Sequence, residues 1–250
     1  AAHTDRRQRF KTRADGGGPD SAFAAELTAG LDAGGDAREA ALQHLQRNPG
    51  MTRRLAFEPA GCRAVQQSLE VAERGTACEI AAELRGHVVE AVKSPYANYV
   101  LQKMIKVLAP QEIPFVVAEL AAAGPELARH EYGCRIYCRL LEHAASEENT
   151  TRLMDEVLGD TEEMVRHTFG HHVVECALEH GLAHQRQWIV RSLRKDLLRN
   201  ARNRNAAYVI EKALLYSSYE DRQALASHLL SYPAGDVAAL ARSQFGSMVV

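Results

Sequence analysis

Asn98, Tyr99 and Gln102 form a set suited to holding a flat polar molecule. On a helix, residues four apart lie on one face about a turn apart, while the next residue is rotated by roughly 100°. The two amides would then point the same way, with the phenol ring flanking them. Two edge-bonding groups and an interleaved flat side chain suit a nucleobase splayed out of its stack. The same arrangement recurs as Cys62, Arg63 and Gln66; Cys134, Arg135 and Cys138; His171, His172 and Glu175; and Ala207, Tyr208 and Glu211. A sixth copy opens with Ser247 and Met248, and its last member would be residue 251.

Each set sits inside one longer pattern. A small residue, or an aromatic followed by a small one, precedes two variable positions, and an aliphatic pair follows. Tyr96-Ala97-Asn98-Tyr99-Val100-Leu101-Gln102 and Phe169-Gly170-His171-His172-Val173-Val174-Glu175 show it well. The first variable positions are spaced by 36, 36, 37, 36 and 40 residues. A near-constant period in this range means stacked supersecondary units rather than one closed globule. The aliphatic pairs turn inward, and function lies in what varies at equivalent places.

The elements that position these sets read as helices, three per unit. In the second unit His87–Lys93 forms a short first segment, and Ser94-Pro95 prepares the start of a second helix over Tyr96–Leu108. Val100, Leu101, Met104, Ile105 and Leu108 recur there at helical spacing. Pro110 stops that helix and Ile113–Ala122 supplies the third. In the fourth unit the same parts are Met164–His167, Phe169–His180 and Gln185–Leu193, with Trp188 expected in the core. Strand-like alternation is missing, so the fold is expected to be all-α. Residues 1–20 read as a disordered basic, glycine-rich tail. Residues 21–54 read as an N-terminal helical cap with helices over Ala22–Leu31 and Ala37–Leu45, and residues 55–250 as the repeat domain, five full repeats and a truncated sixth.

Composition narrows the function classes. The chain has 250 residues, 46% hydrophobic and 25% charged, with a formal net charge of −2. That balance argues against a general nucleic-acid binder with a basic surface, yet leaves room for a locally basic groove. No apolar run reaches the roughly 20 residues needed to cross a bilayer. No signal-peptide core follows Arg6, Arg7, Arg9, Lys11 and Arg13, which run into Gly16-Gly17-Gly18. Five cysteines, an odd number, at repeat positions point to a reducing compartment.

These residues and their period resemble the Pumilio (PUF) family, over roughly residues 55–250. The resemblance implies a right-handed α-helical-repeat solenoid, an armadillo-like superhelix whose concave face binds single-stranded RNA, one base per repeat. Two side chains would read each base edge and a third would stack between neighbouring bases. Protein and RNA would run antiparallel, so the first repeat meets the 3′ end. By this resemblance Cys62 and Gln66 with Arg63 match an adenine combination, and Asn98 and Gln102 with Tyr99 a uracil combination. Cys134 and Arg135 again match adenine, but Cys138 replaces the expected glutamine, and a thiol is a weak donor and acceptor. His171, His172 and Glu175 partly match the guanine combination, with His171 in place of serine. Ala207, Tyr208 and Glu211 keep a stacker and a carboxylate, while Ala207 offers no hydrogen bond. The implied RNA for repeats four to one is 5′-G/N-A-U-A-3′. Lys103, Arg139 and Lys212 follow the last position of their sets and are expected to make one rim of the groove positive.

The resemblance further implies a cytoplasmic, non-enzymatic monomer that selects messenger RNA through its 3′ untranslated region and recruits regulatory proteins to control translation or decay. Two other readings stand beside it. One is a divergent relative that supports ribosome maturation in the nucleolus and binds structured RNA. The other is a HEAT- or armadillo-like protein-binding scaffold. His167, His171 and Glu175, at i, i+4 and i+8, bring two imidazoles and a carboxylate to one helix face, but the repeat already accounts for them, and no metal or cofactor is expected. Cys134 and Cys138 with His130 are read as base-facing or buried rather than catalytic, since Cys62 recurs without such neighbours. No glycine-rich phosphate loop or spaced acid pair points to catalysis. The pattern stops at Val249-Val250 inside a sixth motif, so the natural protein is expected to continue.

Overall fold

The computed structural model describes residues 19–250. Residues 1–18 of the expected tail lie outside that range, and its last two residues already belong to a helix. That first helix, α1 (Pro19–Ala33), begins earlier than periodicity alone suggested because Asp20 falls in its first turn and its carboxylate pairs with Arg54. An acidic group there complements the partial positive charge of the helix N-terminus. The second helix, α2 (Gly35–Gln46), follows directly, with Gly34 at φ 72° making the reversal.

Five three-part units follow. They comprise α3 (Met51–Ala56), α4 (Gly61–Val71) and α5 (Arg74–Ala82); then α6 (Val88–Lys93), α7 (Ala97–Val107) and α8 (Pro114–Ala123). In the third unit a 3-10 turn (Pro125–Arg129) replaces the first helix, ahead of α9 (Gly133–Ala144) and α10 (Glu148–Leu158). The fourth holds α11 (Thr161–Met164), α12 (Gly170–His180) and α13 (Ala183–Arg194), the fifth α14 (Leu197–Arg202), α15 (Arg204–Tyr216) and α16 (Tyr219–Leu230). A sixth opens with α17 (Ala234–Ala241) and a 3-10 turn (Gly246–Met248). Among the described residues there is no strand, and no helix is long and apolar enough to cross a membrane.

The second helices form a single row in which α4, α7, α9, α12 and α15 each pack against the next. The helix α1 joins that row ahead of α4. Gln67 of α4 donates to Asp32 of α1 at 2.6 Å, in the place where Lys103 reaches Glu70 one unit later. The cap is therefore built like half a repeat, so the first true unit meets a helix surface of the usual kind rather than water.

Burial explains the aliphatic half of the motif. Ala64-Val65, Val100-Leu101, Ile136-Tyr137, Val173-Val174 and Val209-Ile210 are all buried in one continuous core. Each large aliphatic side chain so buried contributes about 1.5–3 kcal/mol. Tyr137 takes an aliphatic place, and its hydroxyl is buried without a hydrogen-bond partner among the described residues. The sixth copy differs. Its turn is 3-10 rather than α, Val249 is buried, and Val250 is exposed.

The small residue of the motif has a steric cause. A Cβ at Gly61 would lie 2.5 Å from the Leu55 carbonyl oxygen, and one at Gly133 would collide with the Leu127 carbonyl oxygen. Both carbonyls belong to the residue six positions earlier, on the preceding segment. That close approach fixes the angle at which the second helix leaves the first.

Candidate nucleic-acid interface

From the second unit on, a polar residue four positions before the first variable position starts the site-bearing helix. Ser94 Oγ accepts the backbone N–H groups of Tyr96 and Ala97 at 3.2 and 3.1 Å. His167 Nδ1 accepts those of Phe169 and Gly170 at 3.2 and 3.1 Å. His130 and Asn203 do the same in their units, and Ser243 accepts from Gly246 at 3.1 Å. Each satisfies N–H groups that the first helical turn leaves unpaired. Sequence reasoning marked this position only at Ser94, and missed that a serine, histidine or asparagine stands there in five successive copies.

With helix start and buried pairs fixed, the second variable position must face outward. Arg63, Tyr99, Arg135, His172, Tyr208 and Met248 are all exposed. Tyr99 and Arg135 meet across neighbouring units, the guanidinium donating to the phenol oxygen at 3.5 Å. Between them and the next unit lies a cleft of about 330 Å³ lined by Gln102, Cys134, Arg135, Cys138, Arg139 and His172. Five predicted residues from three consecutive sets thus border one open space.

The first variable position is less open than the sequence suggested. Cys62, Cys134 and His171 are buried, and Asn98 and Ala207 are 0% exposed. Asn98 donates to the Ser94 carbonyl at 2.7 Å and accepts from Gln102 Nε2 at 3.0 Å. That bond leaves the Gln102 carbonyl and its second N–H to face the groove. Gln66 instead donates to its own helix, at the Cys62 carbonyl, 2.9 Å away. Of the last positions, Gln66, Gln102, Cys138 and Glu175 are half-buried and Glu211 is exposed, whereas Ser247 in the sixth copy is exposed at a first position.

Three thiols of the motif are held toward their protonated form. Burial raises those of Cys62 and Cys134, and a bond from Cys176 together with burial raises Cys138 well above the usual range. A depressed pKa is what a thiol nucleophile requires, so the geometry here opposes that chemistry. In the fourth unit burial pulls His171 down to about 4 and pushes Glu175 up to about 7, the latter against the pull of Lys212.

Three expectations change. Lys103, Arg139 and Lys212 do not form a continuous positive rim, because each is paired: Lys103 with Glu70 at 2.9 Å, Lys212 with Glu179 at 2.6 Å, and Arg139, which alone of the three borders the cleft, with Glu142. The two lysines reach carboxylates on the preceding second helix, whereas the Arg139 partner lies on its own helix. Trp188 is not core. It is 49% exposed on α13, and its indole N–H donates to the Leu158 carbonyl at the end of α10 at 2.9 Å. His167 does not join His171 and Glu175, since its ring accepts backbone N–H groups. The side chains brought together are His171, His172 and Glu175, with ligand-type atoms within 4.8 Å of one another.

The model of the Pumilio-family RNA binding repeat matches five segments, residues 54–84, 87–121, 125–158, 162–193 and 201–230. The chain belongs to the Pumilio family. Among Pumilio relatives, it is 24% identical over 178 residues to putative pumilio homolog 8, chloroplastic, of Arabidopsis thaliana, covering 70% of this chain and 35% of that protein. It is also 24% identical over 189 residues to Fem-3 mRNA-binding factor 1 of Caenorhabditis elegans, covering 66% and 30%. The chain spans about a third of the length of these relatives. Its fold matches the Puf3 RNA binding domain bound to Cox17 RNA 3′ UTR recognition sequence site B, with TM-score 0.80 at 22% identity, over 89% of this chain and 67% of that one. It likewise matches PUF-8 in complex with PBE-RNA, with TM-score 0.75 at 22% identity, over 92% and 71%. The all-α fold expected from the repeat, and the solenoid implied by the family resemblance, are the fold observed.

Proposed function

We propose that the chain binds single-stranded RNA along its row of second helices, one nucleotide per repeat, and selects messenger transcripts through their 3′ untranslated regions. The observation that carries this reading is the exposure, in register, of Arg63, Tyr99, Arg135, His172, Tyr208 and Met248 above the buried pairs. Flat or cationic groups repeated at this interval receive bases between them, each worth about 1–3 kcal/mol. The solved relatives described as bound to 3′ UTR sequences support the same ligand class.

Edge reading falls to Gln66 with Cys62, Gln102 with Asn98, Cys138 with Cys134 and Glu175 with His171, and to Glu211 alone in repeat five, where Ala207 is buried and has no hydrogen-bonding group. The amide pair of repeat two is the most selective, for uracil, because hydrogen bonding already fixes which groups face the groove. The order 5′-G/N-A-U-A-3′ follows for repeats four to one. The protein acts as a cytoplasmic monomer without enzymatic activity and passes control of translation or decay to proteins it recruits.

Selection of bound RNAs from a random pool tests this, repeated with Asn98→Ser plus Gln102→Glu. The expected result is exchange of uracil for guanine at one position only. An unchanged motif would remove repeat-by-repeat reading. Binding to structured RNA with little sequence preference would move the protein to the ribosome-maturation reading, and no enrichment at all to the protein scaffold.

A further inference from the structure

His171 Nδ1 lies 2.8 Å from the His167 carbonyl oxygen. A carbonyl only accepts, so Nδ1 carries a proton, and in the neutral ring Nε2 is left to present a lone pair. That lone pair faces Glu175 Oε1 at 3.6 Å. Two acceptors opposed in a largely buried place repel unless a proton or a cation lies between them, and 3.6 Å is long for a shared proton. His172 Nδ1 lies 4.0 Å from the same carboxylate oxygen. Around an ion with bonds of about 2.1 Å, neighbouring tetrahedral ligands stand roughly 3.4 Å apart. The first separation comes close to that edge length, and the second lies about 0.6 Å beyond it, within reach of a small turn of the exposed His172 ring.

We propose that His171, His172 and Glu175 bind a divalent transition-metal ion of the zinc class in the groove at repeat four. Two imidazoles and one carboxylate suit zinc or its neighbours, whereas calcium and magnesium require mostly oxygen ligands. The bond from His171 to a backbone carbonyl is the outer contact that normally orients a metal-binding imidazole. Three ligands from one helix leave a coordination position open toward the groove. An ion there engages Glu175, which can then no longer accept from a base edge. The site itself is independent of the RNA reading, but this consequence rests on it.

A second group, Glu142, Cys176 and His180, also has ligand-type atoms within 4.8 Å. Glu142 is already held by Arg139, and the Cys176 thiol is turned to the Cys138 carbonyl at 3.5 Å. It serves as the competing location in the test.

Cobalt(II) is titrated into the full, metal-free chain and followed by visible absorption, with zinc added afterwards as competitor. The proposal expects one ion per chain, weak d–d bands, no thiolate charge-transfer band, and displacement by zinc. Because His171 is buried, its variants test folding as much as binding, so Glu175→Gln and His172→Gln carry the comparison, with thermal unfolding as a control. Each should weaken cobalt binding about tenfold or more, at least the loss seen when a ligand's orienting partner is removed. No stoichiometric binding, or equal binding by both variants, overturns the site. So does a thiolate band that Cys176→Ser abolishes, which places the ion in the competing group. RNAs varied only at the repeat-four base are then compared with and without zinc. A changed preference at that base alone supports the consequence, and an unchanged one overturns it. A chain that binds cobalt as expected but no RNA leaves this site standing and removes the proposed function.

Discussion

Repeats two and four share a backbone plan and differ in what they offer a base. Both start their second helix from a polar cap, Ser94 or His167, and both bury an aliphatic pair beneath an exposed flat side chain. In repeat two the reading groups bond to each other, Gln102 to Asn98 at 3.0 Å, and the outward functions are settled in advance. In repeat four an imidazole lone pair opposes a carboxylate at 3.6 Å, and the set is incomplete until a proton or an ion arrives. The solenoid holds its shape through caps, close backbone approaches and buried pairs, and the first variable side chains Asn98 and His171 bond back to the carbonyls of the capping residues Ser94 and His167. The exposed second positions are therefore the ones most free to diverge without loss of fold, while the buried first positions also serve the packing.

The comparison breaks most readily at the backbone contact. Gly133→Ala forces a Cβ into the Leu127 carbonyl and is expected to cost about 1–3 kcal/mol, seen as a lower midpoint in denaturant unfolding. The equivalent Gly170→Ala meets only ordinary contacts at 3.4 Å, matches the alanine that repeat two already has at Ala97, and should leave the midpoint unchanged or slightly raised. Equal losses would mean that the close approach does not set the helix start.

Stacking comes next. Tyr99→Ala should weaken RNA binding by about 1–3 kcal/mol in fluorescence anisotropy, with the fold intact by circular dichroism. His172→Ala should cost less, since the smaller imidazole ring offers less stacking area. If the histidine proved the stronger stacker, the ranking of the two repeats would reverse. Replacing His171 with Asn and Glu175 with Gln together gives repeat four the pair of repeat two. The expected outcome is uracil preference at the fourth-repeat base, read by competition among four RNAs that differ only there.

The smallest effect concerns charge. Lys103 and Lys212 are paired with Glu70 and Glu179, so Lys103→Met and Lys212→Met should barely alter the slope of RNA affinity against salt. An arginine in direct contact with phosphate would change that slope by about one unit. A full-unit change for either lysine would restore the positive rim that the ion pairs remove.

The repeat was legible because burial imposes period and small-residue choice together: an aliphatic pair and a glycine or alanine must recur wherever the second helix meets its neighbours. The variable triplets were legible for the same reason, as the positions left over. The capping residues Ser94, His130, His167, Asn203 and Ser243 were visible as letters but differ in chemistry, so no motif announced them. Trp188 misled because an indole predicts burial on average, while one bond to the Leu158 carbonyl holds it at the surface.

By itself the sequence determined the all-α repeat, the face that turns inward and the residues left to face a ligand, since helical spacing and apolar burial are local rules. Only the packed structure decided how far those residues reach. Asn98 is covered, Lys103 and Lys212 are spent on neighbouring carboxylates, and His172 rather than His167 joins His171 and Glu175. Each outcome depends on distances between side chains and on backbone groups of other turns and other units, which spacing along one helix does not encode.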